Sequence, residues 1–190
     1  MQSKHFRYLA LASLAISGAA NAHPGHSHGA MAGLMHPFMG LDHLLAMLAV
    51  GVWAAQLGGK AKWLLPLSFV AVLVAGAGLA MSGTVLPMVE GGIATSVLLL
   101  GMLIALAVQM PAAAGAAMVG VFALFHGYAH GVEMPHLSTP WQYGFGFVVA
   151  SALLHGAGVV LGNSLQRQVL WLRASGALIA LSGIWMSATV

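Results

Sequence analysis

Imidazole and carboxylate side chains occur together at the start of the first long apolar stretch of the chain. They are His36, Asp42 and His43, and the apolar stretch continues to Leu57. An ionised Asp in the middle of a bilayer costs about 2.5–3.5 kcal/mol, so a membrane-buried Asp beside a His predicts a functional site. On one continuous helix, His36 and His43 share a face and Asp42 lies about 100° around the axis.

A second group of the same kind lies at the end of the fourth apolar stretch. His126, His130 and Glu133 are spaced i, i+4 and i+7, which places two imidazoles and a carboxylate on one helical face. Pro135 predicts that this helix ends no later than Met134, leaving Glu133 at its mouth and His126 about 10 Å inside. The first group is expected at a matching depth.

The donor atoms of the two groups predict a metal site. They offer nitrogen and oxygen ligands without a thiolate, because the chain has no cysteine. Such a set suits Ni²⁺, Co²⁺ or Zn²⁺ better than Cu⁺, whereas Mg²⁺ and Ca²⁺ normally take oxygen ligands. The alternative is a purely structural hydrogen-bonded network. The predicted metal residues are His36, Asp42, His43, His126, His130 and Glu133.

Other polar residues extend the prediction towards a metal path. Glu90, at the start of the third apolar stretch, either attracts cations or is simply a solvated residue at a helix end. His155, in the fifth stretch, is either an exit site or a satisfied histidine between helices. His23, His26 and His28 either collect metal ions loosely or belong to a disordered polar leader.

The elements that position these side chains are predicted to be transmembrane helices. The 190-residue chain is 60% hydrophobic and 5% charged, with a mean hydropathy of +0.93, and lacks the polar surface of a soluble domain. Six apolar segments are long enough to cross about 30 Å of hydrocarbon as helices. They are 36–57, 63–82, 87–109, 112–134, 141–162 and 169–188. The expected fold is an all-α polytopic membrane bundle of six transmembrane helices.

The first 22 residues have the pattern of a cleaved secretory signal peptide. Two basic residues precede a short apolar run over residues 8–16, and an Ala-Asn-Ala sequence ends at residue 22. Residues 23–35 are then a His-rich periplasmic leader, and 36–190 form the transmembrane transport domain. An uncleaved first helix is the alternative.

The basic residues predict the orientation. With a periplasmic mature N-terminus, Lys60, Lys62, Arg167 and Arg173 all lie at cytoplasmic helix ends, as the positive-inside rule requires. We therefore expect a protein of the bacterial inner membrane with both mature termini in the periplasm. The sequence does not indicate an oligomeric state.

Several classes of partner are excluded by the sequence. The six basic residues are scattered rather than grouped, which argues against nucleic acid as a partner. No glycine-rich phosphate loop is present, so ATP binding is not expected. The absence of cysteine excludes disulfides, cysteine-ligated clusters and covalent c-type haem. No prosthetic group is expected, and the partners are a divalent metal ion and the lipid bilayer.

The same residues resemble the HupE/UreJ family of hydrogenase and urease accessory proteins, which are regarded as nickel or cobalt permeases. The matching motifs are His36-Pro37 with Gly40, Asp42-His43 and Ala46-Met47; Val89-Glu90-x-Gly92-Ile93-Ala94-x-Ser96-Val97; Ala123-Leu124-Phe125-His126-Gly127 with Ala129-His130-Gly131 and Glu133; and Tyr143-Gly144-x-Gly146-Phe147 with Leu154-His155. By this resemblance, the metal-handling positions are the six residues that helical spacing also selects.

We therefore expect a permease rather than an enzyme. The resemblance implies transport of Ni²⁺ or Co²⁺ from periplasm to cytoplasm, supplying hydrogenase or urease maturation. The alternative is an intramembrane zinc hydrolase, in which three protein ligands leave a position for an activated water. A metal sensor is a third interpretation, but no soluble output domain is evident. Whether Asp42 binds metal or positions His43 stays open from sequence.

Overall fold

The computed structural model describes residues 29–135 and 138–189, and this part of the chain is helical with no strand. Seven helices follow one another, with a 3₁₀ turn at His36–Phe38 after the first. They are α1 (Ala30–Met35), α2 (Leu41–Leu57), α3 (Ala61–Met81), α4 (Val89–Ala105), α5 (Ala112–Val132), α6 (Pro140–Leu165) and α7 (Val169–Ser187). The predicted signal peptide and the histidines at positions 23, 26 and 28 lie outside the described residues.

Four of these helices are long and apolar enough to cross a membrane, namely α3, α5, α6 and α7. A fifth span results if α1, the 3₁₀ turn and α2 together count as one bent span. Helix α4 has 17 residues and reaches only about 25 Å. It is cut short because Met88 and Ala107, at its two ends, have positive φ angles of 56° and 55°. The all-helical membrane fold is confirmed with four to five candidate spans, and six spans remain a prediction.

The continuous helix predicted from His36 to Leu57 is wrong in its first part. The chain bends by 83° between residues 30–38 and α2. The break falls at Gly40, whose backbone is extended with φ −103° and ψ 121°. It follows Pro37, which has no N–H to continue a helical hydrogen-bond ladder. Residues 30–35, predicted as part of the leader, form the short helix α1.

Glycines bring the helices together in three close pairs. Helices α2 and α6 meet at Gly51 and Gly158, α3 meets α5 at Gly127, and α4 meets α7 at Gly101 and Gly176. A Cβ atom at any of these positions would overlap backbone of the facing helix. Close backbone approach through small residues is a main source of helix association in lipid. The dense small residues of the sequence therefore serve packing.

Helix α2 lies at the centre of the bundle. It contacts each of the other five long helices, and every residue from Ala49 to Ala55 is buried. The short helix α1 packs across α6, where Gly33 and Gly146 allow close contact with the opposing backbone. The N-terminus of α2 and the 3₁₀ turn before it are consequently held against the other helices.

Candidate metal site

Three ligand side chains converge where α5 ends beside the 3₁₀ turn. His36 Nε2 donates to Glu133 Oε2 over 3.0 Å, and one nitrogen of His130 lies within 4.8 Å of ligand atoms of both residues. Within the described residues, these three side chains form a group able to hold a metal ion. We call them the mouth group. The hydrogen bond from His36 lowers the pKa of the Glu133 carboxyl, which lies just beyond α5. The carboxylate is thereby kept ionised.

Imidazole rings continue from the mouth group into the protein as one column. The ring centroid of His130 lies 4.7 Å from that of His36 and 4.2 Å from that of His43, and His43 lies 4.8 Å from His126. We call these four residues, in the order His36, His130, His43 and His126, the histidine column. The exposed fraction is 1% at His130, 6% at His43 and 0% at His126. The column thus passes from a partly exposed ring to a fully buried one.

The Asp42 carboxylate is hydrogen-bonded to His43. Its Oδ1 accepts hydrogen bonds from the His43 backbone N–H and from Nδ1, each over 2.7 Å. Gly40 leaves room for this pair, because a Cβ there would lie 2.6 Å from Asp42 Oδ1. With Nδ1 donating to the carboxylate, the lone pair of His43 is on Nε2, which is buried without a hydrogen-bond partner among the described residues. This geometry favours a positioning role for Asp42.

A cavity of about 270 Å³ opens above the column. We call it the acidic vestibule, and its lining residues are His36, Met39, Gly40, Asp42, His43, Glu90 and Glu133. The chain has three acidic residues in total, and all three line this cavity. Glu90, predicted either to attract cations or to be a solvated residue at a helix end, is exposed and lines the same cavity as His36 and Glu133. A cleft lined by charge of one sign concentrates counter-ions.

His155 lies beyond the column rather than in it. It is 1% exposed, and neither ring nitrogen has a hydrogen-bond partner among the described residues. The fully buried ring of Phe69, on α3, neighbours both His155 and the column, with centroids 5.7 Å from His126 and 5.0 Å from His155. Sequence reasoning missed Phe69, because a phenylalanine in an apolar helix looks like any core residue.

Ser96, on α4, is a second residue that sequence reasoning did not select. Its Oγ lies 2.8 Å from His126 Nε2, and it is fully buried. It belongs to the motif that begins at Val89, but nothing in the α4 sequence indicates that it faces the histidine. The described structure therefore brings together the six predicted residues and adds Ser96 and Phe69 around them.

A larger cavity of about 480 Å³ lies beside the column, between α3, the end of α5 and the start of α6. Its lining is almost wholly apolar, and His130 is the one candidate metal ligand in it. Because borderline metal ions need several nitrogen or oxygen donors, this cavity is unsuited to hold one. The acidic vestibule is the better candidate for the metal path.

Comparison with known proteins gives two matches that cover nearly the whole chain. The model of the family described as HupE / UreJ protein matches residues 10–186. Protein HupE of Rhizobium leguminosarum bv. viciae is 47% identical over 177 residues, which cover 91% of this chain and 92% of that protein. No solved structure matches the chain.

Proposed function

Because this chain belongs to the HupE/UreJ family, we propose that its histidine column carries Ni²⁺, or alternatively Co²⁺, across the bacterial inner membrane. The metal would supply hydrogenase or urease maturation, the roles for which the family is named as accessory. The observation that carries the proposal is the run of imidazoles leading from the acidic vestibule to a fully buried His126. A closed structural site would not need ligands at successive depths.

Capture begins in the acidic vestibule. Its three carboxylates attract a hydrated dication, and the mouth group replaces part of the hydration shell with two nitrogens and one oxygen. Because Glu133 and His36 are partly exposed, the ion keeps contact with water at this stage. Desolvation is therefore gradual.

Deeper in the column the ligands are nitrogen only. The ion passes from His130 to His43 and then to His126, whose neighbouring ring centroids are 4.2 and 4.8 Å apart. Imidazole suits nickel and cobalt, whereas magnesium and calcium prefer oxygen ligands, so this part of the column favours the borderline metals. Because His130 belongs to both the mouth group and the column, it can transfer the ion from the mouth group to His43.

Passage beyond His126 requires movement. The Phe69 ring neighbours both His126 and His155, and the part of α2 beyond His43 is packed against other helices in the described structure. The ion must displace or pass Phe69 to reach His155, which we propose as the second station. Conduction through this protein is therefore gated rather than through an open pore.

The membrane potential can drive the transport. Two positive charges moving inward gain about 4.6 kcal/mol per 100 mV, so no nucleotide is needed. The direction agrees with the charge distribution of the described residues: Lys60, Lys62, Arg167 and Arg173 lie at the end of the bundle opposite the vestibule. By the positive-inside rule, this distribution supports a periplasmic vestibule.

The test is uptake of radioactive nickel and cobalt by proteoliposomes with an imposed inside-negative potential. We expect accumulation that depends on the protein and rises with the potential. Metal that binds to the vesicles without entering them would contradict the proposal. The family match gives no support to the alternative zinc hydrolase, and cleavage of lipid or peptide by the same preparation would be needed to revive it.

A further inference from the structure

A fully buried serine on α4 touches the innermost ring of the histidine column. Ser96 Oγ lies 2.7 Å from the backbone oxygen of Ile93 and 2.8 Å from His126 Nε2. We infer that Ser96 is a positioning residue, which fixes the tautomer of His126 so that Nδ1 is the nitrogen offered to the metal. The inference rests on the proposed function of the column.

Counting hydrogens at Ser96 gives the tautomer. A serine hydroxyl has one hydrogen, and the Ile93 carbonyl can only accept, so the Ser96 hydrogen goes to Ile93. The Ser96 oxygen must then accept from His126, which requires the hydrogen of a neutral imidazole to be on Nε2. The lone pair of His126 is therefore on Nδ1.

The nitrogen left with the lone pair has no protein partner. His126 Nδ1 is buried and lacks a hydrogen bond among the described residues, although the ring is fully buried. A buried acceptor without a partner is costly, and native structures rarely keep one without a reason. A passing metal ion is a partner that a neutral imidazole nitrogen can bind directly.

The tautomer of the neighbouring His43 ring is also fixed by a hydrogen bond, to a different partner. Asp42 accepts from His43 Nδ1, which leaves the His43 lone pair on Nε2, also buried and unpartnered among the described residues. Hydrogen bonds to the outer nitrogen orient a metal-binding imidazole and adjust its basicity. His43 has an ionised partner and His126 a neutral one, so His126 should be the weaker ligand. Weaker binding at the inner ring favours onward release.

A second buried serine provides a matched control. Ser151, on α6, is also 0% exposed, and its Oγ donates to the Phe147 carbonyl over 2.8 Å. Its hydrogen bonds in the described structure involve no histidine. Ser151→Ala therefore removes the same hydroxyl from the same kind of environment without touching the column.

The direct test is ¹⁵N NMR of histidine-labelled protein, with the His126 signals assigned from a His126→Gln variant. In the metal-free wild type we expect the hydrogen of His126 on Nε2. Ser96→Ala should lose this single tautomer, Ser96→Thr should keep it, and Ser151→Ala should leave it unchanged. A hydrogen on Nδ1 in the wild type, or an unchanged tautomer in Ser96→Ala, would overturn the inference.

Transport measurements complete the test. Loss of the hydrogen-bond partner of a metal-binding imidazole typically lowers metal affinity or activity about 10- to 100-fold. We expect nickel uptake by Ser96→Ala to fall by about the same factor. Ser96→Thr should recover most of it and Ser151→Ala should match the wild type. Unchanged uptake in Ser96→Ala would refute the positioning role. If the wild type carries no metal, the proposed function fails, whereas the NMR result still decides the tautomer.

Discussion

Replacing Glu133 by Gln tests whether the mouth group holds the ion through charge. The ligand atoms of His36, His130 and Glu133 lie within 4.8 Å of one another, so an ion equidistant from them is about 2.8 Å from each or closer. At that distance a carboxylate and a dication attract by about 3 kcal/mol even with the dielectric constant of water. The dielectric constant of water is the appropriate value here because the Glu133 side chain is 47% exposed.

An energy of this size corresponds to about a hundredfold change in affinity. The Gln carbonyl oxygen keeps part of the interaction, so we expect Glu133→Gln to raise the Kd for Ni²⁺ by about 10- to 100-fold. The assay is equilibrium binding of radioactive nickel to the purified protein at low ionic strength. The loss should shrink at high salt, because salt screens partly exposed charges.

Glu90→Gln is the matched control. Glu90 lines the acidic vestibule but does not belong to the mouth group, so it contributes attraction without ligation. We expect a smaller increase in Kd than for Glu133→Gln, and one that salt removes almost completely. Ligation by Glu133 would be refuted if the two variants raised the Kd equally. It would also be refuted if Glu133→Gln changed the Kd by less than about threefold at low salt.

Two further predictions concern the helix contacts and the inner station. Gly127→Ala should lower the melting temperature, since its Cβ would overlap the Leu73 backbone and such overpacking costs about 1–3 kcal/mol. Gly156→Ala, where a Cβ meets nothing within 4 Å, should leave it unchanged in the same thermal unfolding assay. His155→Leu should slow nickel uptake at least about tenfold without changing equilibrium binding at the mouth group, as expected of a ligand beyond Phe69. Equal uptake by His155→Leu and the wild type would remove His155 from the path.

Helical spacing was a sound guide for α5 and a poor one before α2. His126 and His130 lie on one face of a regular helix that ends at Val132, as the i, i+4 spacing and Pro135 predict. His36 reaches the site from a separate 3₁₀ turn, because the chain bends at Gly40. A sequence pattern cannot show such a bend, since α1 packs against α6, which is distant from it in the chain.

Tertiary contacts also explain the residues that sequence reasoning missed. Ser96 donates to the carbonyl three residues earlier, as many serines in apolar helices do, and only the packing of α4 against α5 shows that it also meets His126. Positive φ angles at Met88 and Ala107 are unusual for residues other than glycine, and composition gives no sign of them.

The central claim is that the metal moves along the column, and His43→Ala tests it most directly. His43 lies between His130 and His126 but is not part of the mouth group, so its loss should interrupt the column while capture remains possible. Binding and uptake of radioactive nickel are measured on the same proteoliposomes under an inside-negative potential. We predict binding within about threefold of the wild type and uptake reduced at least about a hundredfold. Uptake at the wild-type rate in this variant would contradict the account.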